Sequence, residues 1–256
     1  MSGCHNGVQA CIKNEYPQAE YVHCRAHCLN LAITKASTDT SVRNMMDSVQ
    51  NICFAFNYSA KRNAYLQEAL NKESDRPLQN RTKLRSLCET RWTARSDALT
   101  VFKEWYVFIL DTLTNLAASN DSQANRFIAV MERFDFIVSL VVAEKILQYT
   151  QPLAFSLQNV DTELLEAKQE AENVIETLQK MRNDQKWESL YQEAETLASK
   201  VNSTPRVPRM ASKQKHRSNP EHDSIPQCWK RAIYFPFIDH VINELQSRLV
   251  IPSPFF

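Results

Sequence analysis

The stretch "FIVSLVVA", residues 136–143, holds the choice between a β and an α protein. Read alone, its β-branched and aromatic residues favour a strand. Its surroundings favour a helix. Phe127, Val130, Met131, Phe134, Ile137, Val138 and Val141 recur every three or four residues, the period of one helix face. The flanks outweigh the propensity and predict a helix through the run.

Outward from it, the same period continues. Residues 93–117 are apolar nearly all round, with Phe102, Trp105, Phe108, Ile109 and Leu113, which predicts a central, buried helix. Val42, Met45, Met46, Val49, Ile52, Cys53 and Phe56 form another stripe, with Asp39 to Ser41 as cap candidates. Downstream, residues 161–200 carry the clearest signal. Asp161 is a cap, and Leu164, Ala167, Ala171, Val174, Leu178 and Met181 make one stripe. Lys168 with Glu172 and Glu176 with Lys180 pair at i,i+4. Asn183-Asp184 divides this region into two helices. In "FPFIDHVINELQSRL" (235–249), Pro236 sits near a first turn, with Phe237, Ile238, Val241, Ile242, Leu245 and Leu249 inward.

Composition agrees with helices. The chain has 256 residues, 43% of them apolar, which is ample for a core. Its two glycines are Gly3 and Gly7, too few for a protein of many tight β-turns. Net charge is +1, so any attraction to a polyanion must be local. Seven cysteines and no secretory signal at Met1 suit a reducing compartment. No apolar stretch approaches the roughly 20 residues of a membrane span. Three regions depart from the helical pattern. "AEYVHC" (19–24) is the best strand candidate, following a short helix over 4–15 that ends at Tyr16-Pro17. Residues 72–88 are polar, contain Pro77 and read as a loop. Residues 200–227 hold four prolines, six Lys/Arg, two acids and no aromatics, a flexible basic linker.

Three groups carry possible chemistry. "HCRAHC" (23–28) brings two His and two Cys together, and Cys24 with His27, or His23 with Cys28, makes half a zinc site. Structural zinc takes four ligands, usually in two pairs, and no second pair follows. The competing reading is that Cys24 and Cys28 pack as small apolar side chains. A Cys/His nucleophile lacks a neighbouring acid to orient the His. The third group is the basic loop. Residues 76–95 hold Arg76, Arg81, Lys83, Arg85, Arg91 and Arg95 against one acid, Glu89, with Trp92 among them. Such cations neutralise phosphates, and an aromatic ring stacks on an exposed base. The alternative is a solvated loop that Trp92 anchors to the core.

Four stretches in order resemble hAT-superfamily transposases and their domesticated descendants, zinc finger MYM-type relatives among them. These are Met1-Ser2-Gly3, Gly7-Val8-Gln9, the run Cys24-x-x-His27-x-Leu29-Asn30-Leu31, and "LCETRWTARSDAL" (87–99), which is similar to a Thr-Arg-Trp stretch of the family's helical insertion. The resemblance implies that Cys24, His27, Leu29 and Asn30 belong to a ribonuclease-H-like core, not to a zinc site. It implies a mainly α chain: a trailing part of that α/β core at 1–36, an all-α insertion at 37–199, the linker at 200–227, and a last insertion helix at 228–256. The lone strand should leave 1–36 only marginally ordered. In the family, three carboxylates hold two divalent metals. The resemblance places all three outside this chain, which then looks like a central fragment without catalysis, without a cofactor or metal, and without the family's C-terminal dimerisation segment. The expected function is nuclear nucleic-acid binding, with Lys83, Arg85, Arg91, Trp92 and Arg95 as the DNA-contacting residues. Self-association would belong to a longer form. The alternatives are a helical protein–protein interaction module, presented by the 161–200 helices, and a transposon fragment with no function.

Overall fold

The computed structural model describes residues 7–19, 24–36, 40–72, 83–87, 92–159, 164–207 and 224–250; within these, the side chains of Arg25, Ala36, Trp92, Thr93, Ala94 and Leu164 are not described. Among the described residues every regular element is helical. The run at 136–143 lies inside α8 (Phe134–Ser156). Buried residues surround this helix on all sides, from Phe134 to Ala154. A helix apolar all round must be enclosed, and α8 is. It packs against α3 (Thr40–Asn57), α5 (Trp92–Glu104), α7 (Ser122–Met131), α9 (Leu164–Met181) and α10 (Asp184–Lys200). Buried on both faces, the β-branched run needs no alternation, so its strand propensity has nothing to act on.

The predicted stripes are the buried ones. All seven named residues of α3 are inside, as are all six from Phe237 to Leu249. On α9, Ala167, Ala171, Leu178 and Met181 are buried and Val174 half-buried, with Ile175 added to the stripe. The pairs Lys168–Glu172 and Glu176–Lys180 form on its outer side. Asn183 caps α10 by accepting from the Lys186 N–H at 2.9 Å, so the break falls where the sequence placed it. Asp161 and Asp39 lie outside the described residues.

Residues 93–117 do not form the central helix. They form two flanking helices, α5 and α6 (Tyr106–Ala118), joined at Trp105. The backbone ladder runs on through the join: the Trp105 N–H donates to Val101 O and its carbonyl accepts from Ile109 N–H. Helix α4 (Ala60–Asn71) lies over α3 and α6.

The expected partial ribonuclease-H-like core is not borne out. No strand occurs among the described residues, and of the predicted strand, residues 20–23 lie outside them. A ladder needs two edges, and no described segment supplies one. Before residue 37, the elements among the described residues are two helices, α1 (Val8–Glu15) and α2 (Arg25–Ala36). Helix α2 lays Leu29, Ala32 and Ile33 into the common core, against the C-terminal helical region. Packing therefore draws no boundary at residue 36.

The linker is packed at both its ends. Val201 is buried, the Ser203 hydroxyl donates to Glu132 O at 2.6 Å, and the Trp229 indole donates to Arg206 O at 2.8 Å. Ser224 starts α11 (Ile225–Trp229), ten residues before Phe235. A π-helical turn at Lys230–Tyr234 leads into α12 (Phe235–Leu245), and a second follows at Gln246–Val250. Residues 208–223 lie outside the described part.

With no glycine after Gly7, asparagine takes the left-handed positions. Asn120 (φ 63°) ends α6 and Asn202 (φ 55°) ends α10, a conformation asparagine tolerates better than most residues. Phenols reach two helix ends: Tyr106 donates to Met131 O, and Tyr234 donates to Met181 O, which also accepts from the Asn183 N–H.

Candidate nucleic-acid interface

The basic loop is described at 83–87. Its backbone, not its charge, fixes it. The Asn57 side-chain amide donates to Leu84 O at 2.9 Å, and the Leu87 N–H donates to the Gln50 side chain at 2.5 Å. Gln50 and Asn57 are two turns apart on α3, so the loop runs along that helix. Leu84 and Leu87 are buried at 3% and 6% exposure, which turns the residues between them outward. Lys83 is exposed, and the Arg85 side chain is 58% exposed with one end on Asp97 at 3.0 Å.

Arg95 stands elsewhere. It is 8% exposed, on the face of α5 that also carries Leu99 and Phe102 four and seven residues on. A buried guanidinium cannot meet a phosphate without unpacking, so Lys83 and Arg85 are the cations of this set that the structure leaves accessible. Arg91 and the Trp92 side chain lie outside the described residues.

The Cys/His stretch is divided by the start of α2. Cys24 precedes the helix and is exposed, so it does not pack as an apolar side chain; its carbonyl accepts from the Cys28 N–H at 3.0 Å. His27 is exposed, Cys28 half-buried against the core, and Leu29 and Asn30 buried. Among the described residues no three His, Cys, Asp or Glu side chains cluster to hold a metal. Purified protein should carry less than one zinc per chain and keep its helicity under a chelator. One tight zinc, with unfolding on its removal, would restore the metal reading of Cys24 and His27.

A second surface adjoins the loop and went unnoticed in the sequence. Phe54 lies in the last turn of α3, off its buried stripe, and Tyr58 follows directly after the helix, its N–H donating to Phe54 O at 2.9 Å. Phe54 is 39% and Tyr58 85% exposed, with ring centroids 5.7 Å apart. They edge a cleft of about 620 Å³ whose floor is α3, whose end is the start of α4 at Ser59 and Arg62, and whose wall is α7 with Gln123, Arg126 and Phe127. Arg62 is committed to Asp121, donating from Nε at 3.1 Å and Nη2 at 2.7 Å. That guanidinium holds the Asp121 carboxyl below the usual range, aided by the Gln123 and Ala124 N–H groups it caps. Arg126 is exposed, and no carboxylate among the described residues pairs with it. A second cleft, of about 720 Å³, lies between the start of α8, residues 201–207 and Trp229. There Arg133 is already paired with Asp135.

Comparison with known proteins bears on the whole chain. The sequence is similar to the 52 kDa repressor of the inhibitor of the protein kinase. The human protein is 24% identical over 251 residues, which is 94% of this chain and 33% of that protein. The mouse protein is 23% identical over the same shares. The chain thus spans about a third of the length of these curated relatives. No protein-family model matches it, and no solved structure does.

No helix among the described residues is long and apolar enough to cross a membrane.

Proposed function

We propose that this chain is a non-catalytic, transposase-derived nucleic-acid-binding protein that works in the nucleus. The observation that carries the reading is the loop at 83–87, held along α3 by its own backbone with Lys83 and Arg85 outward. A cation held by fixed backbone loses little freedom on meeting a phosphate. The similarity to a protein named as a repressor supports it, as do the four stretches that resemble hAT transposases, whose Thr-Arg-Trp stretch adds Arg91 and Trp92 to the proposed contacts. In this reading the catalytic carboxylates of that superfamily, and a dimerising segment, belong to parts of a longer protein. The structure lends less to an interaction module on α9 and α10: the outward charges of α9 pair with one another at i,i+4, and Glu193 and Asp184 of α10 are committed to Lys103 and Lys230.

Binding to duplex DNA should weaken steeply with salt. Each lost phosphate contact should reduce the log–log slope by about 0.9. Lys83→Ala and Arg85→Ala should each do so, while melting like wild type, because both side chains face solvent. Fluorescence anisotropy across a salt series is the measurement. Slopes unchanged in both variants would remove the loop from the interface. With Mg²⁺ or Mn²⁺ the chain should not cut or join DNA; strand cleavage above a boiled control would overturn the non-catalytic reading.

A further inference from the structure

We infer that the cleft between α3 and α7 binds single-stranded DNA, with bases stacking on Tyr58 and Phe54 and the backbone following Arg126. The proposal rests on the nucleic-acid reading of the adjoining loop and gives it a second, distinct surface.

The argument begins with the helix register. Phe54 is absent from the buried set of α3, and Tyr58, four residues on and just past the helix end, continues its backbone ladder by donating to Phe54 O. Two large rings left 39% and 85% exposed, one turn apart, are costly to leave in water and unnecessary for the core. Their planes tilt by 49°, and both rings stand open to solvent. Planar bases suit such faces, and stacking is tolerant of sequence because every base has one.

Charge selects the partner. Arg126 stands on the wall opposite the rings, exposed and unpaired among the described residues. The carboxylate at the Tyr58 end among the described residues, Asp121, is neutralised by Arg62. Asp47 stands one turn beyond Asn51 at the other end, so cationic character rises toward Tyr58. Asn51 and Gln123 supply amides that can both donate to and accept from base edges. A polyanion with flat apolar faces matches this lining better than an apolar helix would. An apolar helix would leave Arg126 and both amides facing a surface with no acceptors. The loop meets α3 at Gln50 and Asn57, positions i−4 and i+3 from Phe54. Lys83 and Arg85 therefore border the same stretch of α3 on its other flank.

The test is anisotropy with a fluorescein-labelled 12-nucleotide oligothymidylate, alongside a duplex of equal length, using the whole chain. Tyr58→Ala should weaken oligothymidylate binding by roughly 5- to 100-fold, the range for losing one stacked base. Tyr58→Phe should bind like wild type, since the ring face remains. Arg126→Ala should flatten the salt slope of oligothymidylate binding by about one contact. Tyr58 is largely solvent-exposed, so its variants should melt like wild type, and a melt beside each titration checks this. If Tyr58→Ala binds oligothymidylate as wild type does, or wild type does not bind it at all, the cleft proposal falls. Loss of duplex binding in Lys83→Ala and Arg85→Ala, with Tyr58→Ala unaffected on either probe, keeps the loop reading and removes the cleft. Loss of oligothymidylate binding in Tyr58→Ala, with duplex slopes unchanged in the loop variants, does the reverse.

Discussion

Trp105→Ala should cost about 3–5 kcal/mol of folding stability, the range for deleting a buried Trp or Phe side chain. Trp105 is wholly inside the protein and stands at the join of α5 and α6. It is 0% exposed where α5 hands over to α6, and its backbone carries the ladder from Val101 to Ile109. Alanine keeps the ladder and leaves a void that two helices and the central α8 would have to close together. Relaxation can then recover little of the loss, since collapsing onto the void would shift the packing of α5 on α8. Urea unfolding should show the fall with an unchanged m-value. A melting temperature about 10 °C lower should accompany it, at roughly 2–4 °C per kcal/mol for a chain of this size. Trp105→Phe should cost distinctly less. A loss below about 1 kcal/mol for the alanine variant would mean that the join does not depend on this side chain.

The helices were legible because their signal is periodic and local. The stripes of α3 and α12 appear in the sequence residue for residue. The break at Asn183 carries its own cap. The centre of the fold was less legible. Residues 93–117 and 134–156 are both apolar all round, and periodicity cannot rank two such segments. What separates them is the turn at Trp105, whose backbone leaves helical values at φ −95°, ψ 12° without any glycine or proline to announce it. The start of the C-terminal helix was hidden differently. Its first turns, from Ile225, follow the basic linker, and composition averaged over 200–227 masks a Ser-x-Pro start signal. For α2, the resemblance pointed away from its packing. Leu29, Ala32 and Ile33 repeat at helical spacing and join the core beside α12, but no sequence pattern says which core a helix joins.

The site divides along the same line. Charge composition drew attention to 76–95, yet composition is blind to direction. Arg95 lies four residues before Leu99 on the inward face of α5, a placement that register alone would have shown. Lys83 and Arg85 face outward while Leu84 and Leu87 are buried, and since residues three apart do not share a face of extended chain, no simple period marked them. Phe54 and Tyr58 are the converse case. They are apolar residues that fall outside the buried stripe, and a reading that collects stripes passes over what a stripe omits. Helix α12 is tied to α2 by the same kind of residue in reverse. Glu244 is nearly buried, and although burial works against its charge, Arg248 and Lys35 hold its carboxyl below the usual range. A lowered carboxyl stabilises the fold at pH values above the ordinary 4.5 and ceases to as pH falls through its folded value. Acid should therefore loosen α2 from α12, visible as a loss of amide protection at Leu29 to Ile33.

Lys103→Met should be the most damaging single charge substitution, at ~3–5 kcal/mol, the range for breaking a buried ion pair. Glu144 is 1% exposed in the middle of α8, and Lys103 on α5 reaches it at 2.7 Å. The same ammonium meets Glu193 of α10 at 2.8 Å, so one lysine joins three helices. Thr100 and Gln148 each donate to the Glu144 carboxylate at 3.0 Å. Removing the lysine leaves a carboxylate inside the protein with two neutral donors and no counter-charge. Removing Glu144 instead is milder, because Lys103 keeps Glu193 at the surface; Glu144→Leu should fall at the low end of that range. The double variant Lys103→Met with Glu144→Leu should recover most of the loss, since two apolar side chains of similar volume carry no desolvation cost. The pH dependence follows from Lys103. Burial opposes its charge, but Glu144 and Glu193 outweigh it and hold its pKa above the ordinary 10.5. A raised lysine stabilises fully below that value and loses its contribution as pH climbs through the folded one. The cost of Lys103→Met should therefore be flat from pH 6 to about 9 and shrink above 10.5. Urea titrations of the two single variants and the double at pH 7 measure the coupling directly. Losses that simply add in the double variant would show that the three helices are held by packing alone and that the buried pair contributes nothing of its own.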